Sequence, residues 1–110
     1  MSATITTKAI RVQRVGGPDV MEYVDVELPP PGPGEARVKH EAIGLNFIDV
    51  YFRTGLYPQP LPNGLGVEGA GIVEAVGEGV TEVKVGDRVA YAARINGAYA
   101  QQRNLPAALL

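Results

Sequence analysis

GLGVEGAGIVEAV, residues Gly64–Val76, separates two folds that this sequence could adopt. Its first six residues match G-x-G-x-x-G, a pattern that holds a dinucleotide only where a buried strand turns into a helix. Here a proline-rich segment comes before the pattern, and glycines mixed with β-branched residues follow it. Because such residues disfavour a helix, we predict a glycine-punctuated strand over Val67–Val76 and no Rossmann fold on this motif.

The composition of the whole chain also favours strands. Its 110 residues include 14 Gly and 9 Pro set among Val, Ile and Thr, which is typical of short strands joined by sharp turns. The hydrophobic fraction of 45% and the charged fraction of 20% are typical of a globular chain. At this length we expect one domain with one core.

Alternation of apolar and polar residues extends outward from that stretch in both directions. A period of two indicates strands with one solvated face. It predicts strands over Lys8–Val15, Val20–Leu28 and Glu35–Leu45. Farther along, Val83–Val89 resembles a tight turn that leads into a strand through Tyr91, and we expect a last short strand or two in Ala98–Leu105. Glycines and prolines predict the turns and loops between them, at Gly16–Asp19, Pro29–Gly34, Leu56–Pro62 and Gly77–Gly79.

The period changes once along the chain. Phe47, Val50 and Tyr51 follow the spacing i, i+3, i+4, which predicts one or two turns of helix. Asn46 suits the N-cap of that helix, and Gly55 suits its end. The chain is therefore expected to be mainly β with a short helix after its third strand.

Charge and residue types exclude several kinds of function. Ten basic and 12 acidic side chains give a net charge of −2, which argues against a nucleic-acid or anionic membrane partner. The absence of Cys excludes disulfides, thiolate nucleophiles and Cys-based zinc sites, and the one histidine, His40, excludes a multi-histidine metal site within one chain. No apolar run reaches the ~18 residues of a membrane span, and no signal peptide is present, so a cytoplasmic protein is expected.

Five segments, in this order, carry a resemblance to a known family. They are Lys8–Arg11 with Gly16–Pro18, Gly44–Pro58, Gly64–Val73, Val85–Val89 and Gly97–Ala100. Together they resemble the medium-chain dehydrogenase/reductase superfamily over residues 7–108. Within it the chain is most similar to the zinc-free NADPH:quinone oxidoreductase branch, the zeta-crystallin-like enzymes.

The resemblance implies a fold and a place in a larger enzyme. The fold is a GroES-like, partly open β-barrel with one or two short helices, formed by residues 7–110 after a flexible N-terminus at 1–6. It is the substrate-side domain of a two-domain reductase, truncated here before the Rossmann domain that binds most of the NADPH. A rival interpretation is a stand-alone GroES-like interaction or co-chaperonin-type module without catalysis.

The resemblance also implies an activity. In the complete enzyme, a homodimer, NADPH transfers hydride to a quinone or another conjugated carbonyl such as an enone, while this chain alone is inactive. Zinc-dependent relatives carry a cysteine and a histidine ligand where this sequence has Asn46 and Val67. Neither an amide nor a valine replaces those ligands, so the chemistry is expected to be metal-free.

The site residues implied by the resemblance lie in and after the helix. The cofactor-binding residues are Asn46, Phe47, Ile48, Asp49, Val50 and Tyr51, and the substrate-binding residues are Tyr51 and Tyr57. Four of them have a simpler alternative. Asn46 can be only a cap, the two tyrosines can be core, and Asp49 can be a first-turn charge stabilised by the helix dipole rather than a catalytic general acid.

Three further polar residues have two interpretations each. Arg53 is expected on the surface, with contact to a cofactor phosphate as the alternative. Glu68 lies in an apolar strand, where an unpaired carboxylate is costly, so we expect it to have a partner. His40 is expected to be a structural histidine with its hydrogen bonds satisfied rather than a catalytic one.

Overall fold

The computed structural model describes residues 3–110 and contains seven antiparallel strands in two sheets. The strands are β1 (Ile5–Val12), β2 (Met21–Leu28), β3 (Glu35–Ile43), β4 (Asn63–Gly64), β5 (Glu68–Val76), β6 (Arg88–Ala92) and β7 (Gln102–Pro106), and the helix α1 is Phe47–Thr54. The first sheet has the order β2-β1-β4 and the second β6-β5-β3-β7. Single 3-10 turns lie at Pro18–Val20 and Ala107–Leu109.

The segment 99–101 joins the two sheets, and we call it the crossing segment. On one side the Tyr99 carbonyl accepts from Ile10 N–H at 2.8 Å, and Gln101 N–H donates to the Lys8 carbonyl at 2.9 Å. On the other side the Gln101 carbonyl accepts from His40 N–H at 2.8 Å, and the chain continues along β3 as β7. The sheets are connected here without closing into a complete barrel, so the mainly β, partly open GroES-like architecture is confirmed.

The stretch that matches G-x-G-x-x-G is not a nucleotide-binding turn. Its first glycine lies in β4, and its last two residues begin β5. Along β5 every second residue from Gly69 is buried, so the strand prediction is confirmed. At Gly71 a Cβ atom would lie 2.0 Å from the Lys39 carbonyl oxygen, which explains why β5 needs glycine beside β3.

The core consists of three clusters of buried side chains. They are Val38, Tyr91, Ala98 and Leu105; Val12, Val20 and Leu65; and Ala36, Val73 and Ala107. Most of these residues are the inward members of the alternating patterns, which is why period two identified the strands.

Strand ends differ from the sequence predictions by a few residues. β1 begins at Ile5 and pairs Ile5 with Leu28 and Thr6 with Glu27, so part of the N-terminal stretch expected to be flexible is in a strand. The β-branched residues at the start of β1 suit an extended backbone. None of the helices within residues 3–110 has the length and apolar character that a membrane span needs.

Candidate active-site cleft

The helix α1 begins and ends where the sequence predicted. Asn46 occupies the N-cap position with extended backbone, and the Asp49 carboxylate Oδ2 accepts a hydrogen bond from Asn46 N–H at 3.0 Å, as in a capping box. Gly55 ends the helix with a φ of +88°, in the left-handed region that glycine adopts most easily. Arg53, in the last turn, donates from Nε to the Gly16 carbonyl at 3.2 Å, so it anchors the helix to the loop after β1.

Asp49 is buried and bound to a tyrosine from the crossing segment. Asp49 is only 3% exposed, and the Tyr99 hydroxyl donates a hydrogen bond to its Oδ2 atom at 2.5 Å. Burial raises the pKa of the Tyr99 hydroxyl, and the Asp49 carboxylate raises it further. Tyr99 therefore keeps its proton at neutral pH and acts as a permanent donor to Asp49.

Two buried polar atoms at the start of α1 have no hydrogen-bond partner among residues 3–110. They are Asn46 Nδ2, a donor, and Asp49 Oδ1, an acceptor. Leaving such atoms unpaired costs about 1–3 kcal/mol each, so they are candidates for contact with a ligand. A primary carboxamide offers the complementary pair, an acceptor and a donor on one planar group.

Both residues line a cleft of about 380 Å³ between α1 and the first sheet. Its walls are mostly apolar and are formed by Met21, Leu45, Asn46, Phe47, Asp49, Val50, Arg53, Leu65 and Tyr99. Of the six residues expected to bind the cofactor, the cleft brings together Asn46, Phe47, Asp49 and Val50. The other two, Ile48 and Tyr51, are not part of its wall.

Tyr51 and Tyr57 lie together beside the cleft rather than in its wall. Their rings meet edge to face with centroids 5.3 Å apart, and Phe52 contacts Tyr57 in the same way at 5.8 Å. The Arg94 guanidinium lies over the Tyr57 ring at 5.9 Å. The two tyrosines are thus neighbours, as a shared role requires, in an aromatic cluster that leaves Tyr57 38% exposed.

His40 has the hydrogen bonds of a structural histidine. The Ala100 carbonyl can only accept, so Nδ1 carries the proton and donates to it at 2.7 Å, and Nε2 accepts from the Tyr91 hydroxyl at 2.7 Å. Burial lowers the pKa of His40, the Ala100 hydrogen bond opposes that effect, and the charge of Arg103 lowers it further. The imidazole is therefore neutral at pH 7 and joins β3, β6 and the crossing segment.

Glu68 does not have the partner that the sequence led us to expect. Within residues 3–110 its carboxylate makes neither a hydrogen bond to a side chain nor an ion pair. The residue is only half-buried at the start of β5, so its carboxylate does not bear the cost of a fully buried, unpaired charge. Its side chain fills the space over Gly44, where a Cβ atom would collide with the Glu68 carboxylate.

The described residues contain no group of three His, Asp or Glu side chains close enough to hold a metal ion. The absence of a metal stays a prediction of the sequence.

Tyr99 is the site residue that the sequence reasoning missed. It belongs to the segment Gly97–Ala100 that supported the resemblance, but its partner Asp49 lies 50 positions earlier in the chain. The only signal was an aromatic residue within a glycine- and alanine-rich turn, and that pattern does not identify a hydrogen-bond partner.

Two sheets joined by a crossing segment, with a short helix capped over an apolar cleft, define a GroES-like domain of the kind found in dehydrogenases and reductases. The family model for the alcohol dehydrogenase GroES-like domain matches residues 32–108, and the chain belongs to this family.

Several characterised proteins are similar to the chain. The quinone oxidoreductase of Pseudomonas aeruginosa is 61% identical over 95 residues, which are 86% of this chain and 29% of that protein. The 2-haloacrylate reductase of a Burkholderia species is 44% identical over 101 residues, 87% of this chain and 30% of that protein. The crystal structure of Escherichia coli quinone oxidoreductase complexed with NADPH superposes with a TM-score of 0.90 at 48% identity, covering 93% of this chain and 32% of that one. The chain thus spans about a third of the length of these relatives.

Proposed function

We propose that this chain is the substrate-side part of an NADPH-dependent reductase that transfers hydride to a quinone or a similar conjugated carbonyl without a metal. The observation that carries the proposal is the cleft at the start of α1, where a buried donor and a buried acceptor stand unpaired in an apolar wall. The names of the quinone oxidoreductases to which the chain is similar supply the class of acceptor.

The residues at the cleft fit the nicotinamide end of NADPH. Asn46 Nδ2 would donate to the carboxamide oxygen, and Asp49 Oδ1 would accept from its NH₂ group. When bound, the nicotinamide supplies the hydride, and the protein supplies orientation and exclusion of water. Leu65 and Val50 give that position apolar walls, which favour the exclusion of water once the ring is bound.

The aromatic cluster beside the cleft fits a planar acceptor. Tyr57 is partly exposed and offers a ring face together with a hydroxyl, and Tyr51 holds that ring from the side. A quinone that stacks on the cluster would place a carbonyl oxygen within reach of a tyrosine hydroxyl. Asp49 is unsuited to the role of proton donor, because Oδ2 already accepts two hydrogen bonds.

The rim of the cleft also supports a position inside a larger enzyme. Leu45 is 83% exposed and Phe47 82% exposed, and they flank Asn46 at the start of α1. Large apolar side chains this exposed are typical of a surface that another domain covers. We assign to them contact with the nucleotide-binding part of such an enzyme. The homodimer and the cytoplasmic location stay predictions.

The test uses a hybrid protein in which these residues replace the matching segment of the Pseudomonas aeruginosa quinone oxidoreductase. We expect the hybrid to oxidise NADPH with 1,4-benzoquinone, and an Asn46→Ala variant to lose about tenfold or more in kcat, because one orienting hydrogen bond is removed. A folded hybrid that binds NADPH but reduces no quinone contradicts the proposal. Running 2-chloroacrylate in parallel decides whether the acceptor class includes the substrate named for the Burkholderia relative.

A further inference from the structure

One oxygen atom links the crossing segment to the start of α1. Asp49 Oδ2 accepts from the Tyr99 hydroxyl at 2.5 Å and from Asn46 N–H at 3.0 Å. The first donor, Tyr99, belongs to the segment that joins the two sheets. The second donor is the backbone of Asn46, whose side chain contacts the cofactor in the proposed function. The position of Asn46 therefore depends on Tyr99 through a single carboxylate.

Tyr99 itself is held from several directions. Its N–H donates to the Leu65 carbonyl at 2.9 Å, and its carbonyl accepts from Ile10 N–H at 2.8 Å. Its ring packs against the cluster that contains Leu65. Gly66 has a φ of +97°, and a Cβ atom there would lie 2.5 Å from Tyr99 Cδ1, so the middle glycine of the false nucleotide motif makes room for this ring. Tyr99 is thus a fixed point of the fold.

The buried carboxylate depends on the hydrogen bond from Tyr99. In the part of the chain that the structure describes, Asp49 Oδ1 has no partner, so without the Tyr99 hydroxyl the carboxylate would be left with a single donor, the Asn46 N–H. A buried carboxylate with one donor lowers its free energy by turning toward water. Such a movement would also displace Asn46 at the N-cap.

We propose that Tyr99 is a positioning residue: through Asp49 it fixes the start of α1 and so aims the Asn46 amide into the cleft. This inference rests on the proposed function for the meaning of the cleft, but the mechanical link can be tested without it. As a positioning residue, Tyr99 contacts neither the hydride nor the acceptor.

The test compares Tyr99→Phe with Tyr91→Phe. Each variant keeps a ring and removes one hydroxyl that makes a hydrogen bond to a side chain, and Tyr91 does not line the cleft of α1. In the 110-residue chain, ¹⁵N NMR should show a changed Asn46 amide shift and faster hydrogen exchange at Asn46 for Tyr99→Phe. Tyr91→Phe should leave that amide shift as in the unmodified chain, even if it lowers the melting temperature by as much.

The kinetic arm uses the hybrid enzyme. Tyr99→Phe should lower kcat about tenfold while KM for NADPH changes less than twofold, because a misaimed nicotinamide site loses alignment rather than most of the cofactor contacts. Tyr91→Phe should leave kcat within twofold. Since a purely structural hydroxyl would act through stability alone, equal kcat values for the two variants overturn the positioning role.

The two proposals fail separately. If the unmodified hybrid is folded and inactive, the proposed function is wrong. The Asn46 amide shift in the 110-residue chain then still tests whether Tyr99 fixes the position of Asn46. If the hybrid is active and Tyr99→Phe matches it in kcat and in the Asn46 amide shift, the positioning proposal is wrong and the function stands.

Discussion

Single residues in this domain act through partners far away in the sequence. His40 is an example, because its imidazole joins a carbonyl of the crossing segment to the Tyr91 hydroxyl of β6. Arg103, from β7, extends this series of hydrogen bonds, because it donates to the same hydroxyl at 3.4 Å and to the Ile95 carbonyl at 3.1 Å. A positive guanidinium on one side favours a neutral imidazole on the other.

This arrangement predicts how stability depends on pH. The pKa of His40 is lowered in the folded state, so below pH 6.5, the ordinary value, the unfolded chain binds more protons than the folded one. Stability should be constant above that pH and fall as the pH drops below it toward the lowered pKa. Because His40 is the one histidine, urea unfolding at pH 7.5 and pH 5.5 isolates its effect. In His40→Gln the free energy of unfolding should differ less between pH 7.5 and pH 5.5. An unchanged difference in that variant would contradict the role of His40 in the pH dependence.

A second residue-scale prediction concerns Gly66. Ala at this position adds a left-handed backbone penalty of about 1–2 kcal/mol and an overlap with the Tyr99 ring, for a total loss of about 2–5 kcal/mol. Gly86 is the matched control, because its φ of +96° is almost that of Gly66 at +97° and nothing lies within 4 Å of its added Cβ. Gly86→Ala should therefore lose only about 1–2 kcal/mol in urea unfolding. Equal losses would mean that the ring does not need the space.

At the level of elements, the sequence predicts those whose signals are local. The helix α1 was predicted with its N-cap and its final glycine because all three signals lie within ten residues. The change of sheet at the crossing segment was not predicted, because the residues of Ala98–Leu105 indicate a strand or two and carry no local signal of which strands they pair with. The Tyr99–Asp49 hydrogen bond was missed for a related reason, since no local pattern reports a contact between residues 50 positions apart.

The aromatic cluster of α1 and the following loop yields an element-scale prediction. If Tyr51 and Tyr57 bind the acceptor, Tyr51→Ala and Tyr57→Ala in the hybrid should each lower kcat/KM for benzoquinone by the equivalent of ~1–3 kcal/mol. Tyr23→Ala, at an exposed position on β2 outside the cluster, is the control and should change nothing. Circular dichroism checks that each variant is folded. Wild-type kinetics in both cluster variants would make the two tyrosines packing residues.

At the level of the whole molecule, the proposed function gives the domain half of a site. In that proposal the cleft contacts the nicotinamide ring and its carboxamide, while the only G-x-G-x-x-G pattern in the sequence forms part of β4 and β5. The pyrophosphate and adenosine of NADPH need a glycine-rich turn at the N-terminus of a helix, and most of the binding free energy comes from that part.

We therefore expect the 110-residue chain by itself neither to bind NADPH with micromolar affinity nor to reduce quinones. Calorimetric titration with NADPH and an absorbance assay with 1,4-benzoquinone measure the two properties. The active hybrid is the positive control for the assay. Micromolar binding or steady turnover by the isolated chain would show that the cleft is sufficient and that the division of labour proposed here is wrong.

The late position of the crossing segment has a consequence for synthesis on the ribosome. A nascent chain that has emerged through β6 holds β1, β2 and β4 of the first sheet and β3, β5 and β6 of the second, but it lacks the hydrogen-bonded tie between the sheets that Tyr99 and Gln101 make. The crossing segment and β7 supply that tie, so the fold becomes complete only after residue 106 has left the exit tunnel. Until then two open strand edges are exposed to other nascent chains, and a pause in translation before Gly97 would prolong that exposure.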